Sequence, residues 1–198
     1  MTSPSDLLKE GDGVLIVDMQ RCFLPGGTLP VPHGDTIIPV LNQWIDAAHR
    51  MAIPLYFSRD WHPREHPSFE EQGGKWPPHC VQDTPEAQFH PDLHVPENAV
   101  IVTKGVRFDG DQNSAFDRTG LEHRLHLDNV IRLWIGGLAL DVCVKASALD
   151  ARHAQIVTRL IPGGSRPVTP EGGRQALQAM QQAGVFVTEE HFAFEEEG

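Results

Sequence analysis

Short continuous apolar runs alternate with longer segments of helical periodicity, and this pattern constrains the fold more than any other feature. Six runs predict strands, at residues 13–17, 54–58, 99–103, 130–135, 155–161 and 185–187. Most are apolar at consecutive positions, as in parallel strands that are buried on both faces. Three longer segments predict helices, at residues 36–51, 142–153 and 170–183. Strands and helices in this order predict an α/β domain with helices on both faces of a sheet.

The chain of 198 residues predicts a single domain over residues 1–198, since 40% of its residues are apolar and can form a core. Two segments, 24–34 and 61–97, are too rich in Pro, Gly and His to continue the pattern of strands and helices. The segment at about 61–97 is long for a loop in a compact domain, and ordered loops of this length tend to be functional. We therefore expect it to be a functional insertion.

The charge and cysteine content argue against several classes of protein. The net charge is −11 with no cluster of Lys or Arg, which argues against a nucleic-acid partner. The chain has no apolar run of the roughly 18 to 20 residues that a membrane span needs, and its start lacks a secretory signal. Three cysteines form no disulfide framework, so free thiols in a reducing compartment are expected. These features predict a cytoplasmic protein that binds a small molecule and no membrane.

Chemically active side chains follow four of the predicted strands. Asp18 follows the first strand, Asp60 and His62 follow the second, Lys104 follows the third, and Cys143 comes shortly after the fourth. In an open α/β sheet, ligands bind outside the carboxyl ends of the strands. The pattern therefore predicts that a carboxylate, a metal-type cluster, a lysine and a cysteine meet at one edge of the sheet.

Asp18, Lys104 and Cys143 form the first part of the expected site. Cys143 lies in the first turn of a predicted helix, where free N–H groups favour a thiolate and can hold an oxyanion. Asp18 can take the thiol proton, and Lys104 can hold the carboxylate in place. Each residue alone has an ordinary alternative, namely an inert core cysteine, a turn-forming aspartate or a solvated lysine. Spacing alone supports these alternatives and a nucleophilic site about equally.

The second part is a candidate metal site formed by Asp60, His62 and His79. One oxygen and two nitrogen ligands suit a divalent transition metal that keeps open positions. His79 follows two prolines in the stretch WPPHC, which restrict the conformations that metal binding must fix. His66 is either a fourth ligand or a residue behind the ligands, and Cys80 is expected to pack. The alternative is that these histidines are simply solvated in a polar loop.

These residues lie in stretches that resemble the nicotinamidase branch of the isochorismatase-like cysteine hydrolases. In chain order the stretches are LIVDMQRCFLPGGTL, SRDWHPREHPSF, KWPPHC, VTKG and GLALDVCVKASALDA. They spread over residues 18–150, and five stretches in this order are far more specific than any one of them. The resemblance implies an α/β fold, a three-layer α/β/α sandwich around a mainly parallel six-stranded sheet.

The resemblance also implies hydrolysis of nicotinamide to nicotinate and ammonia through a thioester intermediate. Asp18 would be the general base, Lys104 its partner and Cys143 the nucleophile. Backbone N–H groups of Ala139 and Cys143 would hold the oxyanion, beside a cis peptide bond between Leu138 and Ala139. The implied partner is a small pyridine carboxamide, and members of the family commonly form homo-oligomers.

Metal and substrate residues follow from the same resemblance. Asp60, His62 and His79 match the family's ligands for one divalent ion per chain, with zinc as the first choice and iron or manganese as alternatives. The metal lies on a different loop from the nucleophile, so it is expected to bind the pyridine nitrogen and orient the substrate. The residues expected to contact the substrate are Phe23, Trp76 and Leu138.

Leu140 departs from the family pattern, because many nicotinamidases have Thr at this position. The loss of a hydroxyl group close to the thiol could change the preferred amide. Three alternatives therefore stay open: a related hydrolase of another small amide or carbamoyl compound, a metal-activated water as nucleophile, and a non-catalytic member that binds a small molecule. The last is disfavoured, because a binding module needs no nucleophile at a helix start.

Overall fold

A sheet of five parallel strands forms the middle layer of the protein, whose computed structural model describes residues 3–188, 190–192 and 194. The strands are β1 (Asp12–Val17), β2 (Leu55–Asp60), β3 (Val100–Lys104), β4 (Arg132–Leu138) and β5 (Val157–Arg166). Their order across the sheet is β3-β2-β1-β4-β5, and every neighbouring pair is parallel. The predicted parallel α/β architecture is confirmed.

The sixth strand predicted at residues 185–187 is reduced to one bridge between Arg159 and Phe186. The Phe186 N–H donates to the Thr158 carbonyl at 2.9 Å, and the Leu160 N–H donates to the Phe186 carbonyl at 3.2 Å. Two residues later the chain turns, because the His191 N–H donates to the Thr188 carbonyl at 3.1 Å. The turn ends the pairing, so the described sheet has five strands rather than six.

The described residues form five α-helices beside the sheet: α1 (Pro4–Leu7), α2 (Ile38–Arg50), α3 (Leu121–Leu127), α4 (Lys145–His153) and α5 (Pro170–Gln182). The helices predicted at residues 36–51, 142–153 and 170–183 correspond to α2, α4 and α5. Thr169 caps α5 as expected, since its Oγ1 accepts a hydrogen bond from the Gly172 N–H at 3.0 Å. A π-helical turn, Leu140–Val144, precedes α4 and carries Cys143. Two short helices, α1 and α3, escaped the sequence prediction because neither shows a long apolar stripe.

Side chains of the strands point alternately to two hydrophobic clusters, one on each face of the sheet. The α2-side cluster includes Val14, Ile16, Phe57, Leu41 and Trp44. The opposite cluster packs the sheet against α3, α4 and α5 and includes Leu15, Val17, Leu125, Ala148 and Leu177. Burial on both faces explains why the strands are apolar at consecutive positions, and it confirms three layers.

The connection between β2 and β3 contains the insertion predicted at about 61–97, and its regular structure is limited to short turns. They are the 3-10 turns Glu70–Gln72 and Pro85–Ala87. Within this connection Cys80 forms a disulfide with Cys22, across 58 residues of chain. The expectation of three free thiols is therefore wrong, because two distant loops meet in a way that cysteine spacing does not reveal. The cysteines therefore no longer indicate a reducing compartment, and the cytoplasmic location stays a prediction.

The strand order places a crevice at the centre of the sheet. From β1 the chain moves outward through β2 to β3, and then returns to add β4 on the other side of β1. The crevice at such a reversal, outside the carboxyl ends of the strands, is where open α/β sheets bind ligands. The described part of the chain contains no helix that is long and apolar enough to cross a membrane.

Candidate active site

Four strands deliver the predicted residues to this crevice. Asp18 follows β1 directly, Cys143 lies in the turn after β4, and Asp60 and Lys104 end β2 and β3 as directly paired neighbours in the sheet. Each of the four is buried. The structure therefore brings together the residues that the strand ends predicted.

Lys104 joins the two halves of this group. Its Nζ atom lies 2.7 Å from Asp18 Oδ2, 2.6 Å from Asp60 Oδ1 and 3.5 Å from Cys143 Sγ. Burial alone would lower the pKa of the ammonium, but the Asp18 and Asp60 carboxylates outweigh it and raise this pKa well above its usual value. Lys104 is therefore a permanent cation at the base of the site, not the solvated lysine of the alternative interpretation.

Asp18 is held as a carboxylate base in a buried position. Ser58 Oγ donates to its Oδ1 at 2.7 Å, while Lys104 pairs with its Oδ2. Burial raises the pKa of the Asp18 carboxyl, although the Lys104 ammonium opposes that shift. A carboxylate with a raised pKa binds a proton more strongly than an ordinary one, which suits a general base.

Cys143 is the free cysteine of the chain, and its thiol is buried. Burial raises the pKa of this thiol well above its usual value; Lys104 opposes the shift, and Asp18 adds to it. Desolvation outweighs the favourable charge of Lys104, so the thiol needs a base to lose its proton. Asp18, the group that can remove its proton, lies close enough to the thiol to contribute to this shift.

Asp60, His62 and His79 are arranged as metal ligands. One ligand atom from each lies within 4.8 Å of the other two, and all three residues are buried. His62 Nδ1 contacts the His79 carbonyl at 3.1 Å, and His79 Nδ1 contacts the Pro77 carbonyl at 2.7 Å. These contacts leave each Nε2 for a metal, as is usual for ligand histidines.

His62 has two further features of a ligand. Burial, reinforced by the neighbouring His79 and His66, lowers the pKa of its imidazole to about 3, which keeps the ring neutral. A Cβ atom placed on Gly105 would lie 2.8 Å from His62 Nε2, so the glycine keeps the space beside that nitrogen clear. The donor set, its neutral imidazole and this clear space fit a divalent metal.

His66 lies behind the ligands. Its ring packs against His62 at 4.6 Å between centroids, and its own nitrogens contact Ser68 Oγ at 2.7 Å and the Arg107 carbonyl at 2.6 Å. With both nitrogens engaged, it supports the ligand set from outside. Cys80 is bonded to Cys22 and packs in the core, so it does not compete for a metal.

A cavity of about 550 Å³, including its open mouth, gives access to these groups and has the size of a small-molecule site. Phe23 and Trp76 form aromatic walls, and Ala139 lies beside Cys143 at the base. The Leu138–Ala139 peptide bond is cis, as the resemblance implied. The side chains that line the cavity include Phe23, Trp76, Asp60, His79, Asp111 and Cys143.

Two leucines lie outside this lining. The Leu138 side chain is fully buried in the α2-side cluster, in contact range of Gly34. This position does not support the expectation that Leu138 contacts the substrate directly. Leu140 is buried in the opposite cluster and lines a separate small cavity with Ile161 and Phe194. Its replacement of Thr therefore changes packing behind the thiol turn rather than the wall that faces a substrate.

Sequence reasoning missed three residues that shape the site. The buried Gln20 side chain donates to the carbonyls of Asp60 and Ala87, both at 2.7 Å, and accepts from the Asp60 N–H at 2.7 Å. Ser58 donates to Asp18, and Asp111 accepts from the Trp76 indole at 3.0 Å. For Gln20 and Ser58 a signal existed, since both lie two residues from an acidic site residue at a strand end. For Asp111 the sequence gives none.

Comparison with known proteins agrees with this geometry. The chain matches the family model of the isochorismatase domain over residues 12–191. It is 36% identical over 194 residues to a nicotinamidase of Escherichia coli (strain K12), a match that covers 86% of this chain and 91% of that protein.

Two solved structures are also similar. The pyrazinamidase of Pyrococcus horikoshii in complex with zinc is 40% identical, with a TM-score of 0.87 and coverage of 90% of this chain and 98% of that chain. PnC1 from L. infantum in complex with nicotinate is 34% identical, with a TM-score of 0.80 and coverage of 89% and 91%. The protein therefore belongs to the isochorismatase family, in the branch that contains the nicotinamidases and pyrazinamidases.

Proposed function

We propose that this protein hydrolyses nicotinamide to nicotinate and ammonia, with Cys143 as the nucleophile. The observation that carries the proposal is the contact of Lys104 Nζ with Asp18, Asp60 and Cys143 at the base of an aromatic cavity. A buried base and a buried thiol, held beside one ammonium, suit nucleophilic acyl transfer. The nicotinate complex of the L. infantum relative supports a pyridine ligand.

In the first half of the reaction the raised pKa of Cys143 requires a base at the moment of attack. Asp18 accepts the Sγ proton, and Sγ bonds to the carboxamide carbon. The backbone N–H groups of Ala139 and Cys143 stabilise the oxyanion that forms. Asp18 then returns the proton to the amide nitrogen, the C–N bond breaks, and ammonia leaves a thioester on Cys143.

In the second half Asp18 takes a proton from water, and the water oxygen bonds to the thioester carbon. The C–S bond breaks to release the carboxylic acid, which ionises to nicotinate, and Asp18 returns its proton to Sγ. Lys104 stays protonated throughout. Its charge stabilises the thiolate that is formed in each half, because Nζ lies 3.5 Å from the sulfur.

Asp60, His62 and His79 would hold one divalent ion, and zinc is the first choice, with iron or manganese as alternatives. The zinc complex of the P. horikoshii relative supports zinc. When bound, the ion supplies a Lewis acid that can accept the lone pair of a pyridine nitrogen. Phe23 and Trp76 would then stack against the two faces of the ring, since both line the cavity beside the ligand His79.

Ammonia release from the purified protein tests the proposal. The substrates are nicotinamide, pyrazinamide and several carbamoyl amides, each assayed with and without a chelator. We expect turnover of the two pyridine-type carboxamides and a rise in KM after chelation. Turnover of carbamoyl amides alone would identify the protein as a related amidase. An absence of turnover of any pyridine carboxamide would refute the proposed hydrolysis of nicotinamide.

A further inference from the structure

The Cys22–Cys80 disulfide lies directly behind two walls of the proposed site. Cys22 precedes the ring-stacking Phe23, and Cys80 follows the ligand His79. Both cysteines are fully buried in the α2-side cluster, whereas their two neighbours line the cavity with ring centroids 5.6 Å apart. One covalent bond therefore connects the backbone of an aromatic wall to the backbone of a metal ligand.

The two connected segments come from different parts of the chain. Cys22 lies in the 3-10 turn Arg21–Phe23 after β1, and Cys80 lies 58 residues later in the long connection between β2 and β3. The hydrogen bonds of the first segment reach other points of that connection, at Ala87 and Gln88. The disulfide adds a direct tie next to His79, with the two Cα atoms 5.5 Å apart.

Cys80 is also hydrogen-bonded to one imidazole ligand, His62, and adjacent in the chain to the other, His79. Its carbonyl accepts the His62 N–H at 2.9 Å, and the adjacent His79 carbonyl contacts His62 Nδ1 at 3.1 Å. The Cys80 backbone has φ +45°, in the left-handed region that residues other than glycine rarely adopt. A cross-link on the side chain holds this residue in a conformation that a free chain would tend to leave.

We propose that the Cys22–Cys80 disulfide is a positioning cross-link that fixes Phe23 against the metal ligands His62 and His79. Without it, the turn at Cys80 relaxes, and the Nε2 atoms of His62 and His79 no longer converge on one metal position. The Phe23 side chain then moves away from the two imidazoles. The effect on substrate binding rests on the proposed function. The effect on metal affinity does not, because it follows from the ligand set alone.

Thiol counting and metal affinity test the proposal on the full-length protein. After purification without reductant, denatured protein should show one thiol per chain, that of Cys143, rather than three. Metal-stripped wild type, Cys22→Ala, Cys80→Ala and the double variant are then compared for zinc Kd by competition with a chromophoric chelator. We expect each variant to bind zinc about tenfold or more weakly, as when a residue supporting a ligand is lost.

The pattern among the variants separates a cross-link from two independent packing residues. If the bond is what matters, either single variant loses as much as the double variant, so the effects are strongly non-additive. KM for nicotinamide should rise more than kcat falls. Three free thiols, additive losses, or an unchanged zinc Kd in the double variant would each overturn the proposal.

Two controls keep a folding defect from imitating the result. Leu125→Ala removes a fully buried side chain from the opposite cluster, so it should lower Tm without changing the zinc Kd. Cys22→Val/Cys80→Ala keeps more apolar volume than the alanine pair, and it should fold yet still bind zinc weakly. If nicotinamide is not a substrate but the zinc Kd shifts as expected, the cross-link stands while the proposed function falls.

Discussion

The thiol site and the metal-ligand loop share one cavity, yet the chain fixes them by different means. Asp18, Lys104 and Cys143 lie at or just beyond strand ends, so the register of the sheet sets their spacing. His62 and His79 belong to a connection with little regular structure, where hydrogen bonds to carbonyls and a disulfide hold them. The difference shows that a sheet can position reactive groups through its strand order and register. A long loop needs additional hydrogen bonds or a disulfide to do the same.

Asp60 is where the two regions meet. It ends β2, it belongs to the ligand group, and its Oδ1 pairs with Lys104. A change confined to one region should therefore leave the other intact, and a change at the Asp60–Lys104 contact should damage both. Variants of decreasing expected effect can test this division.

The largest effect is expected from Cys143→Ala, which removes the nucleophile and leaves the ligand loop untouched. Turnover of nicotinamide should fall by about 10⁴-fold or more, in the range seen when a covalent nucleophile is lost. The zinc Kd should stay within twofold of wild type. Ammonia release and chelator competition measure the two quantities, and substantial remaining turnover would reject covalent catalysis.

Lys104→Met should break both regions at once, because it leaves two buried carboxylates without their cation. Loss of one partner of a buried ion pair typically costs about 3–5 kcal/mol of stability. We expect a lower Tm, a loss of turnover of about a hundredfold or more, and weaker zinc binding in the same protein. Lys9→Met, at an exposed lysine, is the control. If zinc binding stayed intact while turnover fell, the joint role of Lys104 would be wrong.

Gly105→Ala should harm the metal side alone. The new Cβ would lie 2.8 Å from His62 Nε2, at a residue with φ +72°. We expect the zinc Kd to rise by about tenfold to a hundredfold. Gly73→Ala is a matched control, since Gly73 has φ +84°, in the connection that carries His62, and nothing lies within 4 Å of a Cβ placed there. Equal losses in both variants would show that backbone conformation, not the space beside His62, is responsible.

The pH dependence should report the thiol side. The pKa of Asp18 is raised in the folded protein, mainly by burial. Because the base acts when ionised, kcat/KM should be full above this raised pKa and fall about tenfold per pH unit below it. The acid limb should therefore lie above the value of about 4 for an ordinary Asp. Zinc occupancy must be followed across the same pH range, and a limb at or below 4 would contradict the assignment of the base.

The smallest effect is expected at the mouth of the cavity, where Asp111 accepts a hydrogen bond from the Trp76 indole at 3.0 Å. Asp111→Ala should raise KM by about fivefold with little change in kcat, as expected for an ordinary hydrogen bond of about 1 kcal/mol. Asp111→Asn keeps an acceptor and should stay near wild type. An equal loss in Asp111→Asn and Asp111→Ala would mean that the negative charge, rather than the hydrogen bond to Trp76, is what matters.

The sequence predicted the thiol side better than the loop side for a physical reason. Once parallel strands are recognised, their carboxyl ends must meet at one edge, so Asp18, Lys104 and Cys143 could be grouped without any long-range information. The Cys22–Cys80 pair could not, since its distance depends on how two irregular segments fold against each other. The desolvation that raises the pKa of the Cys143 thiol could not be predicted either, because it depends on burial rather than on position in a helix.

The single ammonium shared by Asp18 and Asp60 also bears on how such a site can change over generations. A substitution that removed the carboxylate of Asp60 would leave Lys104 with Asp18 alone, and the proton affinity of the base would shift although Asp18, Lys104 and Cys143 were all unchanged. Substitutions at Asp60 and in the thiol site are therefore expected to be epistatic. Lineages that lose the metal would have to rebalance the charge around the nucleophile at the same time.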